Sequence, residues 1–268
     1  MRRVMIHCEE MNEMMKSYTF LLTVSMGKRL IAKGLMADPH VRDVMMNHRL
    51  LIMSGTTNGY VAEEALKLIG DTTPFDKRTF RRGITVAPGA KVTPGSTTFD
   101  LLIDHGKAYF DRTVFEIAPE LGPGDMIMKG ANALYMSGDF DGEAGVLIGH
   151  PQGGTLIPIT AAAIGRRVEL MVPIGVEKRV EKPIHELVGL ANEAEGEGPR
   201  LAPIPGTPYT EINALAGLTG SVFVEILASG GAMGAEGGVY FTVLDEEEKV
   251  ERVKALVEEL KDEPPTQL

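Results

Sequence analysis

The chain has 268 residues, 44% of them hydrophobic and 24% charged, which is ordinary for a soluble globular protein able to bury a large core. Its formal net charge of −10 argues against general nucleic-acid or anionic-membrane binding, since either needs a basic surface. A single cysteine, Cys8, allows no intramolecular disulfide, Glu9 and Glu10 interrupt any signal-peptide core, and no apolar run approaches the ~20 residues of a membrane span, so the expected location is cytoplasmic.

In chain order, residues 9–37 read as one amphipathic helix. Met11, Met14, Met15 and Tyr18, then Leu22, Met26, Leu30 and Ile31, recur at three-and-four spacing, and Asp38-Pro39 ends the run. Lys28 and Arg29 read as a solvated face of it. Gly27-Lys28 lacks the flanking residues of a phosphate loop of the Walker kind. A shorter helix follows over 41–47. Residues 49–53 (RLLIM) form the first buried strand, and the turn Ser54-Gly55-Thr56-Thr57-Asn58-Gly59 leads into a helix over 60–69. A strand, a Gly/Thr/Asn turn and a helix N-terminus together make an anion site, though Thr57 or Asn58 as a plain helix cap is equally compatible.

Residues 72–100 are rich in Gly, Pro and Thr. A strand over 81–86 runs into a loop that brings Lys91 and Thr93 towards a ligand or simply crosses the surface. Residues 99–103 and 107–110 suggest a hairpin around Asp104-His105-Gly106, and 114–121 a weak helix. Residues 126–128, 145–148 and 168–174 are short apolar runs, each followed by a polar glycine segment, the pattern of parallel strands buried on both faces. In such sheets ligands lie outside the carboxyl ends of the strands. At those ends stand Lys129-Gly130-Ala131-Asn132, then His150-Pro151-Gln152-Gly153-Gly154-Thr155 before an Ala/Ile-rich helix, and finally Lys178.

A lysine at a strand end supplies positive charge for a phosphate or an enolate-like oxygen, and Asn132 supplies both donor and acceptor. Asp139, Asp141 and Glu143 in the acidic loop are candidates for proton transfer, or are simply solvated; their spacing is not that of a calcium loop. The histidines and Cys8 are scattered without paired spacing, so no metal is expected, and no other cofactor either.

Beyond 178 a helix is expected over 181–194, a polar linker over 193–198, a strand over 200–205 and a helix over 208–218. Strands over 221–228 and 238–244 follow, then a helix over 246–261 carrying the stripe Val250, Val253, Leu256, Val257 and Leu260. The expected organisation is α/β. A Rossmann-like, mostly parallel sheet flanked by helices occupies 1–192, a small α+β, ferredoxin-like domain occupies 199–262, and 263–268 is a frayed tail.

The turn Gly55-Thr56-Thr57 resembles the G-S-T phosphate turn of the superfamily that groups ribose-5-phosphate isomerase, the CoA transferases, DeoR-type sugar sensors and the initiation-factor-2B-like proteins. Gly130-Ala131-Asn132 resembles its G-A-D, and residues 145–155 resemble the segment after it. The resemblance spans residues 9–178 and implies a sugar-phosphate or nucleotide pocket built from Gly55, Thr56, Thr57, Asn58, Gly130, Asn132, His150, Gln152, Gly153, Gly154, Thr155 and Lys178. The expected function is binding of a small phosphorylated metabolite; if the chain is catalytic, the resemblance implies an aldose–ketose isomerase in which Lys129 steadies the enediolate, and an assembly of several copies of the chain is expected. Asn132 stands where the catalytic members carry an acid, so the proton would have to move through Asp139, Asp141 or Glu143. Two other functions compete with this one. A non-catalytic ligand sensor or regulatory subunit would act through protein partners, and a dinucleotide-binding oxidoreductase is disfavoured because no G-x-G-x-x-G follows a strand.

Overall fold

The computed structural model describes residues 15–83, 85–86, 88–89, 99–137, 142–220 and 223–266. Within them the protein is a mixed α/β structure built on one six-stranded sheet and two three-stranded ones. The chain enters through strand β1 (Met15–Leu22), then helices α1 (Val24–Ala37) and α2 (Pro39–Asn47), strand β2 (Arg49–Ile52) and helix α3 (Thr56–Ile69). The hairpin β3 (Leu101–Asp104) and β4 (Lys107–Tyr109), the short helix α4 (Val114–Ile117) and strand β5 (Met126–Met128) come next.

Strands β6 (Ala133–Met136) and β7 (Gly142–Ile148), helix α5 (Leu156–Thr160) and strand β8 (Glu169–Pro173) lead to helix α6 (Ile184–Ala191). The chain finishes with β9 (Arg200–Ile204), β10 (Thr207–Tyr209), α7 (Glu211–Thr219), β11 (Phe223–Gly230), β12 (Gly238–Glu246) and α8 (Glu247–Leu260).

The main sheet has the order β10-β8-β5-β2-β3-β4. Its first four strands run parallel, and the β3–β4 hairpin adds an antiparallel edge. The apolar runs are explained by burial on both faces. Leu51, Ile127, Leu170 and Val172 belong to one core, while their strand neighbours Leu50, Ile52, Met126 and Met128 belong to another on the opposite side. The expected hairpin turn is present, with His105 and Gly106 both at positive φ, the conformation a two-residue hairpin loop demands.

Several elements differ from the sequence expectation, each for a local reason. The helix expected over 9–37 is a strand up to Leu22, among the described residues. Tyr18, Thr19 and Phe20 favour extended backbone, and the alternation holds, with Phe20 and Leu22 buried and Met15, Ser17 and Thr19 exposed. This strand pairs along its whole length with β12. Helix α1 starts only after Thr23, whose Oγ1 accepts from the Met26 N–H at 3.3 Å. The small sheet beneath α8 is therefore β1-β12-β11, drawing one strand from the opposite end of the chain.

No strand forms over the described part of 81–86, and Lys91 and Thr93 lie outside the described residues. The run 145–148, expected in the parallel sheet, belongs instead to the separate antiparallel sheet β6-β7-β9. Its partner β6 begins directly after Asn132. A connection as short as that between β6 and β7 can join only antiparallel strands. Residues 208 and 209, where the expected helix begins, extend instead within β10 along β8, and α7 begins after Thr210, which caps it with Asn213.

The tail expected to fray is docked as far as Thr266. The Arg29 guanidinium pairs with Glu263 at 2.8 Å, and Thr266 Oγ1 lies 3.1 Å from Ser25 Oγ. Among the described residues no helix is long and apolar enough to cross a membrane.

Candidate functional site

Parallel strands end together on one rim, and three of them here hand over directly to charged or glycine-bearing corners. β2 passes through Ser54 and Gly55 into α3, β5 into Lys129 and Gly130, and β8 through Gly175 into the short turn Val176–Lys178. These corners line a cavity of about 340 Å³, together with Thr56, Thr57, Ala131 and Asn132. Gly55, Thr56, Thr57, Lys129, Gly130, Asn132 and Lys178 thus meet in one place, as the strand-end argument expects. The cavity also takes in residues that the sequence reading left out: Lys28 from α1, Arg82 from the irregular segment, and Thr266 from the tail.

Lys28 is 7% exposed, so its placement on a solvated face is corrected. The helical stripe that carries it faces α3 and α7 rather than water. Its neighbour Arg29 is as deeply buried, but the two differ in what surrounds them. Arg29 is met by three carboxylates: Glu63, Glu64 at 2.5 Å and Glu263. Among the described residues no carboxylate stands within 4 Å of Lys28, Lys129 or Lys178. Lys28 instead donates to Thr266 Oγ1 at 3.3 Å, and Lys129 to the Gly130 carbonyl at 2.9 Å. Burial pushes the Lys28 ammonium down to about 8, helped by repulsion from Lys178 and opposed by Glu177. Lys129 is likewise lowered to about 8 by burial first, then by Lys178 and Arg82, against the attraction of Asp100.

Two further features concern hydrogen-bonding groups at the cavity. The 14-residue helix α3 has no side-chain cap, so its first-turn N–H groups are left for another acceptor. The Ser54 hydroxyl is buried at the lining and has no hydrogen-bond partner among the described residues. The arrangement is held from behind by Asp100, which is fully buried. It accepts from the Ser54 N–H at 2.8 Å, the Val114 N–H at 2.7 Å and Arg82 Nη1 at 3.2 Å. Asp100 thereby ties the β2 corner and Arg82 to one carboxylate.

Not every expected residue reaches the cavity. Asn58 is buried behind it, its Nδ2 donating to the Met53 and Met128 carbonyls at 2.8 and 2.9 Å, so it ties the ends of β2 and β5 together. Asn132 lines the cavity but uses Oδ1 to accept from the Leu147 N–H at 3.0 Å, fastening β7 to the rim. Glu143 accepts from the Ile184 N–H at 3.0 Å at the start of α6 and lines no cavity of the described site. Asp139 and Asp141 lie outside the described residues.

The turn after β7 builds a second, larger chamber of about 840 Å³, which shares Arg82, Lys129 and Asn132 with the first. His150, Gly153, Gly154 and Thr155 line it; Gln152 does not. His150 Nδ1 accepts from the Gln152 N–H at 3.2 Å, which closes the turn. Gly153 and Gly154 both have positive φ, and a Cβ on Gly153 would stand 2.7 Å from Ile157, so the sharp reversal needs glycine.

Beside the site lies Glu211, 4% exposed. Its Oε2 accepts from the Val176 N–H at 3.0 Å, and burial together with Glu177 raises its carboxyl to about 8. Sequence reasoning passed over it because the first turn of a helix is an ordinary place for a glutamate. No group of three or more metal-ligating side chains occurs among the described residues. Compared with protein-family models, curated proteins and solved structures, the chain matches none.

Proposed function

We propose that the protein binds a small phosphorylated metabolite, its phosphate held over the N-terminus of α3. One observation carries this reading: Lys28, Lys129 and Lys178 converge with Arg82 on an uncapped helix start, and the three lysines have no carboxylate within 4 Å among the described residues. A buried ammonium such as Lys28 with no carboxylate beside it is costly, and a phosphate dianion is the species that meets several cations at once while accepting from Thr56, Thr57 and the free N–H groups. In this reading the four parallel strands act as a Rossmann-like scaffold with the ligand at their carboxyl ends. β1-β12-β11 with α8 acts as a ferredoxin-like companion, and the tail that follows α8 brings Thr266 to Lys28. This agrees with the resemblance of Gly55-Thr56-Thr57 and Gly130-Ala131-Asn132 to the sugar-phosphate isomerase and sugar-sensor superfamily.

The proposal is of binding. Of the three carboxylates expected to move a proton in an isomerase, Glu143 is engaged at the start of α6 and does not face the cavity, while Asp139 and Asp141 lie outside the described residues. The test is thermal unfolding with inorganic phosphate against sodium chloride at equal ionic strength. A ligand at 100 times its dissociation constant adds about 2.7 kcal/mol of stability. Phosphate should raise the midpoint in the native protein and not in Lys129→Met; equal effects of phosphate and chloride would refute the reading.

A further inference from the structure

We infer that the phosphate ester taken by this cleft carries a sizeable apolar body, alkyl or aryl, rather than a polyhydroxylated sugar; the inference rests on the phosphate-binding reading above. The anion cavity shares Arg82, Gly83, Thr85, Lys129 and Asn132 with a neighbouring chamber more than twice its volume, about 840 against 340 Å³. That chamber lies near the upper end of the range for small-molecule sites, and a phosphate with a short substituent would leave it unfilled.

Apart from Arg82, Thr85, Lys129 and Asn132, which it shares with the anion cavity, its lining side chains include the apolar Val146, Leu147, Ile148, Leu156 and Phe115 and the polar His150 and Thr155. Leu147 and Phe115 are 44% and 54% exposed, so apolar surface faces the chamber uncovered. Two polar side chains that reach it have acceptors already used by the backbone: Asn132 Oδ1 by the Leu147 N–H and His150 Nδ1 by the Gln152 N–H. A sugar would bring several hydroxyls away from water against such walls, and each one left without a partner counts against binding. A hydrocarbon body has the opposite balance, because every methylene removed from water contributes favourably.

The experiment is isothermal titration of the full chain with inorganic phosphate, methyl, butyl and hexyl phosphate, and ribose 5-phosphate. Each buried methylene is worth up to about fourfold in affinity. Hexyl phosphate should therefore bind at least about tenfold tighter than methyl phosphate, and ribose 5-phosphate no tighter than methyl. In Leu147→Asn, a substitution at a half-exposed position, the ratio of hexyl to methyl affinity should shrink at least about threefold. A flat alkyl series with inorganic phosphate still bound, or ribose 5-phosphate matching hexyl phosphate, overturns the inference and leaves the phosphate site standing. Failure of inorganic phosphate and of every ester overturns both.

Discussion

Lys28 Nζ donates to Thr266 Oγ1 at 3.3 Å, so a residue of the C-terminal tail touches the lysine that the second turn of α1 delivers to the strand-end cavity. Three residues earlier the same tail supplies Glu263 to Arg29, the neighbour of Lys28. Tail and cavity are thereby one structure, and α1 is the element they share.

Removing that acid has a defined consequence. Arg29 is 6% exposed, and in Glu263→Ala it keeps Glu63 and Glu64 but loses a charged hydrogen-bonding partner at 2.8 Å. The expected loss is about 2 kcal/mol, the range for a hydrogen bond to a charged group. Urea unfolding checks it, through a lower midpoint at unchanged slope.

Lys28 answers in the other direction. With no carboxylate within 4 Å among the described residues, Lys28→Met exchanges a buried, uncompensated ammonium for a flexible apolar side chain of similar length. The variant should melt above the native protein in phosphate-free buffer and gain less from added phosphate. A residue whose loss stabilises the empty protein and weakens its response to ligand is held for function. Paired melting curves with and without phosphate read both effects.

The pH dependence has two windows of opposite sign. Lys28 and Lys129 fall from 10.5 to about 8 on folding, so between these values the unfolded chain binds more protons and stability rises with pH. Their full penalty is present below pH 8 and is gone above 10.5. Glu211 rises from 4.5 to about 8, so between those values the folded chain binds more protons and stability falls as pH rises. Glu211→Gln, which keeps an acceptor for the Val176 N–H, should flatten the decline from pH 4.5 to 8. Lys129→Met should flatten the rise from pH 8 to 10.5. Midpoints of urea unfolding across that pH range test both.

Asp100 is the fixed point behind the site. Asp100→Ala strands two buried N–H donors, on Ser54 and Val114, and removes the carboxylate that Arg82 meets. The expected loss is about 3–5 kcal/mol, as for a broken buried ion pair. Binding of phosphate should weaken alongside it, because Ser54 and Arg82 both line the cavity. Chemical unfolding gives the first number and phosphate titration the second.

Much of the rim was legible in the sequence because it arises from local rules. Apolar runs at 49–53, 126–128 and 168–174 are read directly as strands buried on both faces, and the residues just past parallel strands fall at a common edge. Gly55, Thr56, Thr57, Lys129, Gly130, Asn132 and Lys178 meet in one cavity for that reason. Other features were illegible. Residues 15–22 carry one methionine, two aromatics and two leucines that satisfy a helical period and an alternating one over so short a span, and the partner strand β12 decides between them. The run 145–148 has the composition of a parallel strand, but β6 captures it into another sheet.

Local patterns in the chain were enough to establish the α/β character, the strand ends and the glycine corners, because periodicity and turn chemistry act over a few neighbouring residues. It took the folded arrangement to show that Lys28 and Arg29 are both buried, Arg29 within 4 Å of three acids and Lys28, among the described residues, within 4 Å of none. The carboxylates that separate them stand on α3 and on the tail, 34 to 234 positions away. Charge compensation is a property of distances in space, and no local pattern encodes it.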